Sequence, residues 1–325
     1  MSLFNQIVAH PRSLWTTISL GLLLFGFPLV AYALDEEARV FFNYGFWRPV
    51  MQSTVVIHYI LIIAPLITKN DSDMLKAFRP LVLIDDEAYD RLVQESSHIN
   101  PLGEVLSMLL GALIGFGLSQ TWLTEVRNFW LRVYIPFSQS LMFGLLAWTI
   151  YSSFSSTRVI KELHRQPLKI DILNIKPFEP MGRHSLVTAL VFFGGVTLAM
   201  IFSLNIKNIF TWQTWLSILP FLIIPIIIFF LSMGNTHRVL AKEKKRELLA
   251  VTKKIHHSSS VLSSRIANDE GLGEVAVEYT ALVAYEARIK AASTWPYNTA
   301  MLRTLSFTIV VPLLIRALSS WLFGK

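Results

Sequence analysis

The sequence predicts an all-α, polytopic transmembrane helix bundle of about seven spans with a cytoplasmic helical hairpin. Three observations predict it. Hydrophobic residues make up 53 % of the 325-residue chain and charged residues only 16 %, with a mean hydropathy of +0.49. A soluble domain carries roughly 25 % charged residues, so this chain has too few to cover a water-facing surface. The apolar residues also fall in runs of bilayer length, about 20 residues for a hydrocarbon core of ~30 Å. The cationic residues, finally, gather on alternate connections. The chain has no cysteine. That excludes disulfides, thiolate nucleophiles and cysteine-ligated metal centres.

The elements follow in order. A first transmembrane hairpin (1–68) has spans at 13–34 and 46–67. Arg12 ahead of an apolar run, with Ala31-Tyr32-Ala33 after it, also fits a secretory signal. The run exceeds a normal signal core, so the expectation is a retained first span. Residues 69–101 form an inner surface helix or loop. Asp85 or Asp86 starts its helix, and Ala88, Tyr89, Leu92 and Val93 give that helix an apolar side. A second hairpin (102–152) has spans at 102–121 and 131–152. A Pro-rich inner strap (153–184) follows, in which Pro167, Pro177 and Pro180 interrupt helix. The third hairpin (185–233) has spans at 185–206 and 211–233. A basic cytoplasmic hairpin (234–301) comes next. Span 6 continues into it as a helix to about Ser264, Asn268–Gly273 turn, and a second helix runs over about 274–294. Trp295-Pro296 ends that helix. The seventh span, 302–323, closes the chain (302–325).

Charge sets the orientation. Outer segments hold only Arg39, Arg48, Arg127, Arg132, Lys207 and Lys325; Arg303 and Arg316 lie within span 7, and every other one of the 29 Lys and Arg residues is on the inner side. The positive-inside rule then gives N-in, C-out. The outer turns are short and aromatic, with Phe41, Phe42, Tyr44, Phe46 and Trp47; Trp122, Phe129 and Trp130; and Phe210, Trp212 and Trp215. They read as an interface belt or as an outer recognition surface.

Two stretches, about 60 residues together, resemble recurring pieces of uncharacterised prokaryotic multi-pass membrane proteins. One is Arg165-x-Pro-Leu-x-Ile-Asp, then Pro177-Phe178-x-Pro180 and Arg183-x-Ser-Leu186. The other is Trp295-Pro296 leading into span 7, with Pro312 inside it. The resemblance implies a multi-pass bundle and brings no assigned activity with it; the expected location is a prokaryotic plasma (inner) membrane.

Candidate sites each carry a structural and a functional reading. Gly103, Ser107, Gly111, Gly115 and Ser119 recur every fourth residue in span 3, a stripe that lets another helix approach closely. It serves packing within the bundle, or a subunit or pore interface. His58 lies mid-span with Gln52 nearby, and ionisable groups at that depth face protein or water. The choices are a hydrogen-bonded structural histidine or a polar path. Arg316 snorkels to the outer headgroups, lines an anion-attracting vestibule, or pairs with one of the outer acids Asp35, Glu36, Glu37 and Glu125. Glu104 is a first-turn charge favoured by the helix dipole or a cation ligand. Pro220, Pro225 and Pro312 are static kinks or hinges. Arg238, Lys242, Lys244, Lys245, Arg246, Lys253 and Lys254 form a juxtamembrane cluster for anionic inner-leaflet lipid or a partner protein.

The chain has no P-loop, dinucleotide fingerprint, metalloprotease or hydrolase motif, and His256-His257 point about 100° apart on a helix. The expectation is therefore a non-enzyme with no cofactor, no metal and no nucleic-acid partner. Three functions stay open. The first is an oligomeric pore or channel. The second is a membrane-embedded partner or sensor subunit whose hairpin docks another protein. The third is a secondary transporter.

Overall fold

The computed structural model describes residues 14–33, 47–98, 100–123, 129–202 and 212–323. Among these there are helices and no strands. The helices are α1 (Leu14–Ala33), α2 (Trp47–Phe78), α3 (Asp86–Ser96), α4 (Pro101–Leu123), α5 (Phe129–Leu163), α6 (Glu179–Phe202), α7 (Trp212–Ala267), α8 (Gly273–Ala291) and α9 (Thr299–Phe323). Four stretches are long and apolar enough to cross a membrane: Met51–Leu81, Asp86–Gln120, Phe129–Leu163 and Lys176–Ile201. Ile18–Val30 is a shorter apolar helix.

Sequential helices pair, α1 on α2, α4 on α5 and α6 on α7. The central layer is α5, α2 and α6 side by side, with α4 outside α5 and with α7 and α9 outside α6. Within the apolar part, Val56, Ile57 and Ile60 of α2 pack on Met142, Leu145 and Trp148 of α5. Phe193 of α6 meets Phe229 and Met233 of α7 and Leu305 of α9. The Thr54 hydroxyl donates to Tyr134, whose own hydroxyl donates to Leu24 O at 3.3 Å. Three helices are thereby tied together.

The expected helix starting at Asp85 or Asp86 is present as α3, while the beginning of the surface segment 69–101 and both ends of the strap 153–184 are corrected. Residues 69–78 continue α2, 153–163 continue α5 and 179–184 begin α6. Hydropathy falls at about residues 67 and 152, but the helices run on because a second core holds them. Met74 and Phe78 of α2, Ile160 and Leu163 of α5, Ile172, Phe178, Met181 and Leu240 bury one another there. Pro180 does not stop α6, because it sits in the first turn, where a missing N–H costs nothing. The true strap is short. Leu83 N donates to Pro167 O (2.9 Å) and Lys169 N to Leu81 O (2.8 Å), around an isolated antiparallel bridge between Val82 and Leu168. Asp85 caps α3 by accepting from Ala88 N at 2.6 Å. Arg79 clasps the corner, with Nε on Asp86 at 2.8 Å and its guanidinium 4.9 Å from the Tyr89 ring centre.

α7 is 56 residues long, about 84 Å at 1.5 Å per residue. Its first half packs on α6 and its second half carries α8 back antiparallel. Asp269, with φ of 51°, makes the turn between them, a conformation Asp tolerates. The end of the bundle from which α7 and α8 extend is the hairpin end. Thr252 donates to Glu286 at 3.0 Å, and Tyr285 donates to Glu247. The Glu247 contact raises the Tyr285 hydroxyl pKa; bonds from Lys290 and then Thr252 lower that of Glu286.

His164, just past α5, donates from Nδ1 to Ile160 O (2.6 Å) and tilts against Phe78, while its buried Nε2 meets no partner among the described residues. Burial lowers its pKa below 6.5, against a smaller opposing effect of the Ile160 bond. The unfolded chain takes the proton at the ordinary value. This group's contribution is therefore fully present above pH 6.5 and lost as pH falls below it, by at most about 1.4 kcal/mol per pH unit. Thermal unfolding of His164→Gln in detergent should show a shallower loss of midpoint between pH 7 and 5 than the unaltered chain. Identical slopes would remove this role.

Candidate functional site

The small-residue stripe of α4 is spent inside the chain. A Cβ on Gly111 would lie 2.3 Å from Phe143 O, and one on Gly115 2.4 Å from Gln139 O, both on α5. Gly103 lies under the Tyr151 hydroxyl, Ser119 is buried and donates to Phe116 O at 2.6 Å, and Ser107 donates to Glu104 O. The close approach also encloses Glu104. That residue, in the first turn of α4, is 1 % exposed and accepts from Trp148 Nε1 at 3.2 Å. Such burial needs donors, and the indole supplies one.

His58 faces α1. Its ring lies under Gly21 and 6.1 Å edge-on from Phe25, and its buried Nδ1 has no partner among the described residues. Tyr59 points the other way, donating to Val191 O at 2.7 Å over Gly194. Gln52 is half-buried on α2. Pro225 is buried within α7, which runs unbroken through positions 220 and 225. The side chains of Pro220, Pro312 and Arg316 lie outside the described ones, as do Asp35, Glu36, Glu37, Glu125 and the turns 34–46, 124–128 and 203–211. The basic cluster divides. Lys244 caps α8, donating to Lys290 O (2.8 Å) and Ala292 O (2.7 Å), as a cation at a helix C-terminus should. Arg246 pairs with Glu243 at 2.6 Å; it, Arg238, Lys242, Lys245, Lys253 and Lys254 are exposed.

The two stretches of the sequence resemblance meet. A Cβ on buried Gly182 would lie 1.9 Å from Pro296 O. Beside it Trp295 stacks on His237, ring centres 3.9 Å apart, and His237 donates from Nδ1 to Thr294 O at 3.2 Å. The root of the hairpin is thus seated on the first turn of α6.

A cavity of about 140 Å³ lies between α2, α5 and α6 at that same end. Ile60, Ile63, Ala64, Ile67, Met74 and Leu75 of α2, with Trp148 and Val159, supply apolar walls. Thr68 and Asp71 of α2, Ser97 at the end of α3, Thr149, Ser152 and Ser153 of α5, and His184 and Thr188 of α6 supply the polar ones. His184, with a side chain only 6 % exposed, donates from Nε2 to Asp71 Oδ1 at 2.6 Å. Its Nδ1 is buried without a partner among the described residues. Asn70 Nδ2 donates to His184 O at 3.3 Å, fixing α2 to α6. A largely apolar concavity with a few convergent polar groups is the usual form of a small-molecule site.

None of Gln52, His58 or Glu104 lines this cavity. Sequence reasoning missed Asp71 and His184, which are 113 residues apart. The available signal was their common depth, because each lies just outside the apolar run of its own span, on the same side. No group of three His, Cys, Asp or Glu able to hold a metal occurs among the described residues. Comparison with protein-family models, curated proteins and solved structures gives no match.

Proposed function

We propose that the chain is a membrane-embedded sensor or partner subunit whose cavity takes a solute and whose hairpin docks another protein. The observation that carries this is the shared helix turn. His184 faces the cavity two residues from Gly182, on which the hairpin root rests. A solute that moves α6 must move Pro296 or lose contact with it, and the paired α7–α8 hairpin extends from there as a stiff lever. Exposed Leu249, Ile266, Leu272, Val277 and Val283 on the hairpin offer apolar surface for a partner. The proposal includes seven spans, N-in and C-out, in a prokaryotic plasma membrane, with the basic residues toward anionic lipid. The oligomeric pore is the second reading. Its strongest sequence feature, the α4 stripe, is covered by α5, so a pore would need another interface. The outward row Leu102, Leu106, Leu109, Leu113 and Phe116 on α4 is the remaining surface for it.

Deleting 238–294 tests the proposal. The spans should still insert, while a protein that co-purifies with the full chain should be lost. A co-purifying protein retained by the deletion variant removes the hairpin as the docking element. The absence of native cysteine makes orientation direct to read. A Leu249→Cys variant should react with a membrane-impermeant maleimide only after cells are opened, and reaction in intact cells would reverse the topology.

A further inference from the structure

The geometry points to a ligand class for the cavity: a small alkylammonium, its nitrogen at Asp71 and its carbon chain along α2. The inference rests on the reading of this cavity as a solute site. The cavity follows α2 from Ile60 to Leu75, about 22 Å of helix rise. Its deep end, at Ile60, Ile63, Ala64 and Trp148, is apolar. Its hairpin end holds Asp71 and His184.

Four hydroxyls of the polar walls face a ligand as acceptors. Thr68 spends its proton on Ala64 O (3.2 Å), Thr149 on Leu145 O (2.7 Å), Ser153 on Thr149 O (2.9 Å) and Thr188 on His184 O (3.0 Å). A ligand is therefore offered their lone pairs. His184 likewise gives its Nε2 proton to Asp71, and in the neutral ring its buried Nδ1, which has no partner among the described residues, is an acceptor. An ammonium group has three donors and no acceptor, which complements such a wall. An anion would meet only lone pairs. A bare alkali cation would satisfy the acceptors and leave the apolar end empty. The size agrees as well: about 140 Å³ is close to the ~150 Å³ of an apolar cavity that admits benzene, the bulk of a four-carbon amine.

Calorimetric titration of the full chain in nanodiscs with n-butylammonium chloride tests this, with n-butanol, sodium butyrate and sodium chloride as comparators at constant ionic strength. Saturable binding of butylammonium, at least tenfold tighter than butanol and absent for butyrate, is expected. Equal heats from sodium chloride, or equal affinity for butanol or butyrate, would overturn the assignment. Asp71→Asn should weaken binding at least tenfold. Ala64→Val, which fills the apolar end with Asp71 intact, should also weaken it and carries the test if Asp71→Asn does not fold. Asp90→Asn, an exposed change on α3, should leave affinity unaltered; loss there would overturn the site. If butylammonium binds and the hairpin captures no partner, the ligand assignment stands and the sensor proposal falls. If a partner is captured and butylammonium does not bind, the reverse holds.

Discussion

Gly182→Ala is expected to unseat the hairpin from the bundle. The added methyl would stand 1.9 Å from Pro296 O and 3.1 Å from the Met233 methyl. The first is backbone, in a segment held by the Trp295–His237 stack, so it cannot swing aside as a side-chain tip would. Overpacking a well-filled core costs about 1–3 kcal/mol, and this contact belongs at the upper end. A fall in thermal midpoint of about 5 °C or more is expected, given ~2–4 °C per kcal/mol for a chain of a few hundred residues. Tryptophan emission should shift as Trp295 leaves His237. The spans should still insert, since α4–α5 and α2–α6 packing is untouched. An unchanged midpoint and emission spectrum would mean that the hairpin root does not rest on α6.

Gly111→Val should have an effect of similar size at the other side of the bundle, with a built-in control. Its Cβ would meet Phe143 O at 2.3 Å and Ala147 Cβ at 2.7 Å. Membrane helices approach this closely only over small residues, so α4 must move off α5 and expose the Glu104–Trp148 pair. Thermal denaturation in detergent should show the loss, again about 1–3 kcal/mol. Gly117 is on the same helix with nothing within 4 Å of a built Cβ. Gly117→Ala should be neutral or stabilising by up to about 1 kcal/mol, because alanine loses less freedom in a helix. Equal effects at 111 and 117 would show that the stripe does not pack on α5.

What the sequence allowed differs by element, for physical reasons. The passage of α7 from apolar to basic without a break was legible, because neither glycine nor proline interrupts Thr236–Ala267. The glycine stripe was legible as a close-packing face, but a stripe does not say which helix covers it. The extensions of α2 and α5 were not legible. Lys69–Asp73 and, Phe154 apart, Ser152–Ser156 are polar and look like connection, and distant residues of the second core, among them Phe178, Met181 and Leu240, make their continuation favourable. Glu104 looked like a cap because its position is the first turn, and its burial depends on Trp148, 44 residues away. The cavity was hidden for the same reason. Its walls come from α2, α5 and α6, and hydroxyls scattered at helical spacing look like ordinary in-helix serines and threonines until three helices bring them together.

The most direct test of the central claim is the native mass of the complex released from lipid nanodiscs, for the full chain and for the chain lacking 238–294. The sensor-subunit account predicts the 37.0 kDa chain in a complex with a second polypeptide, and the deletion variant alone. A closed homo-oligomer of the full chain that persists after the deletion would contradict it and make the pore the leading reading.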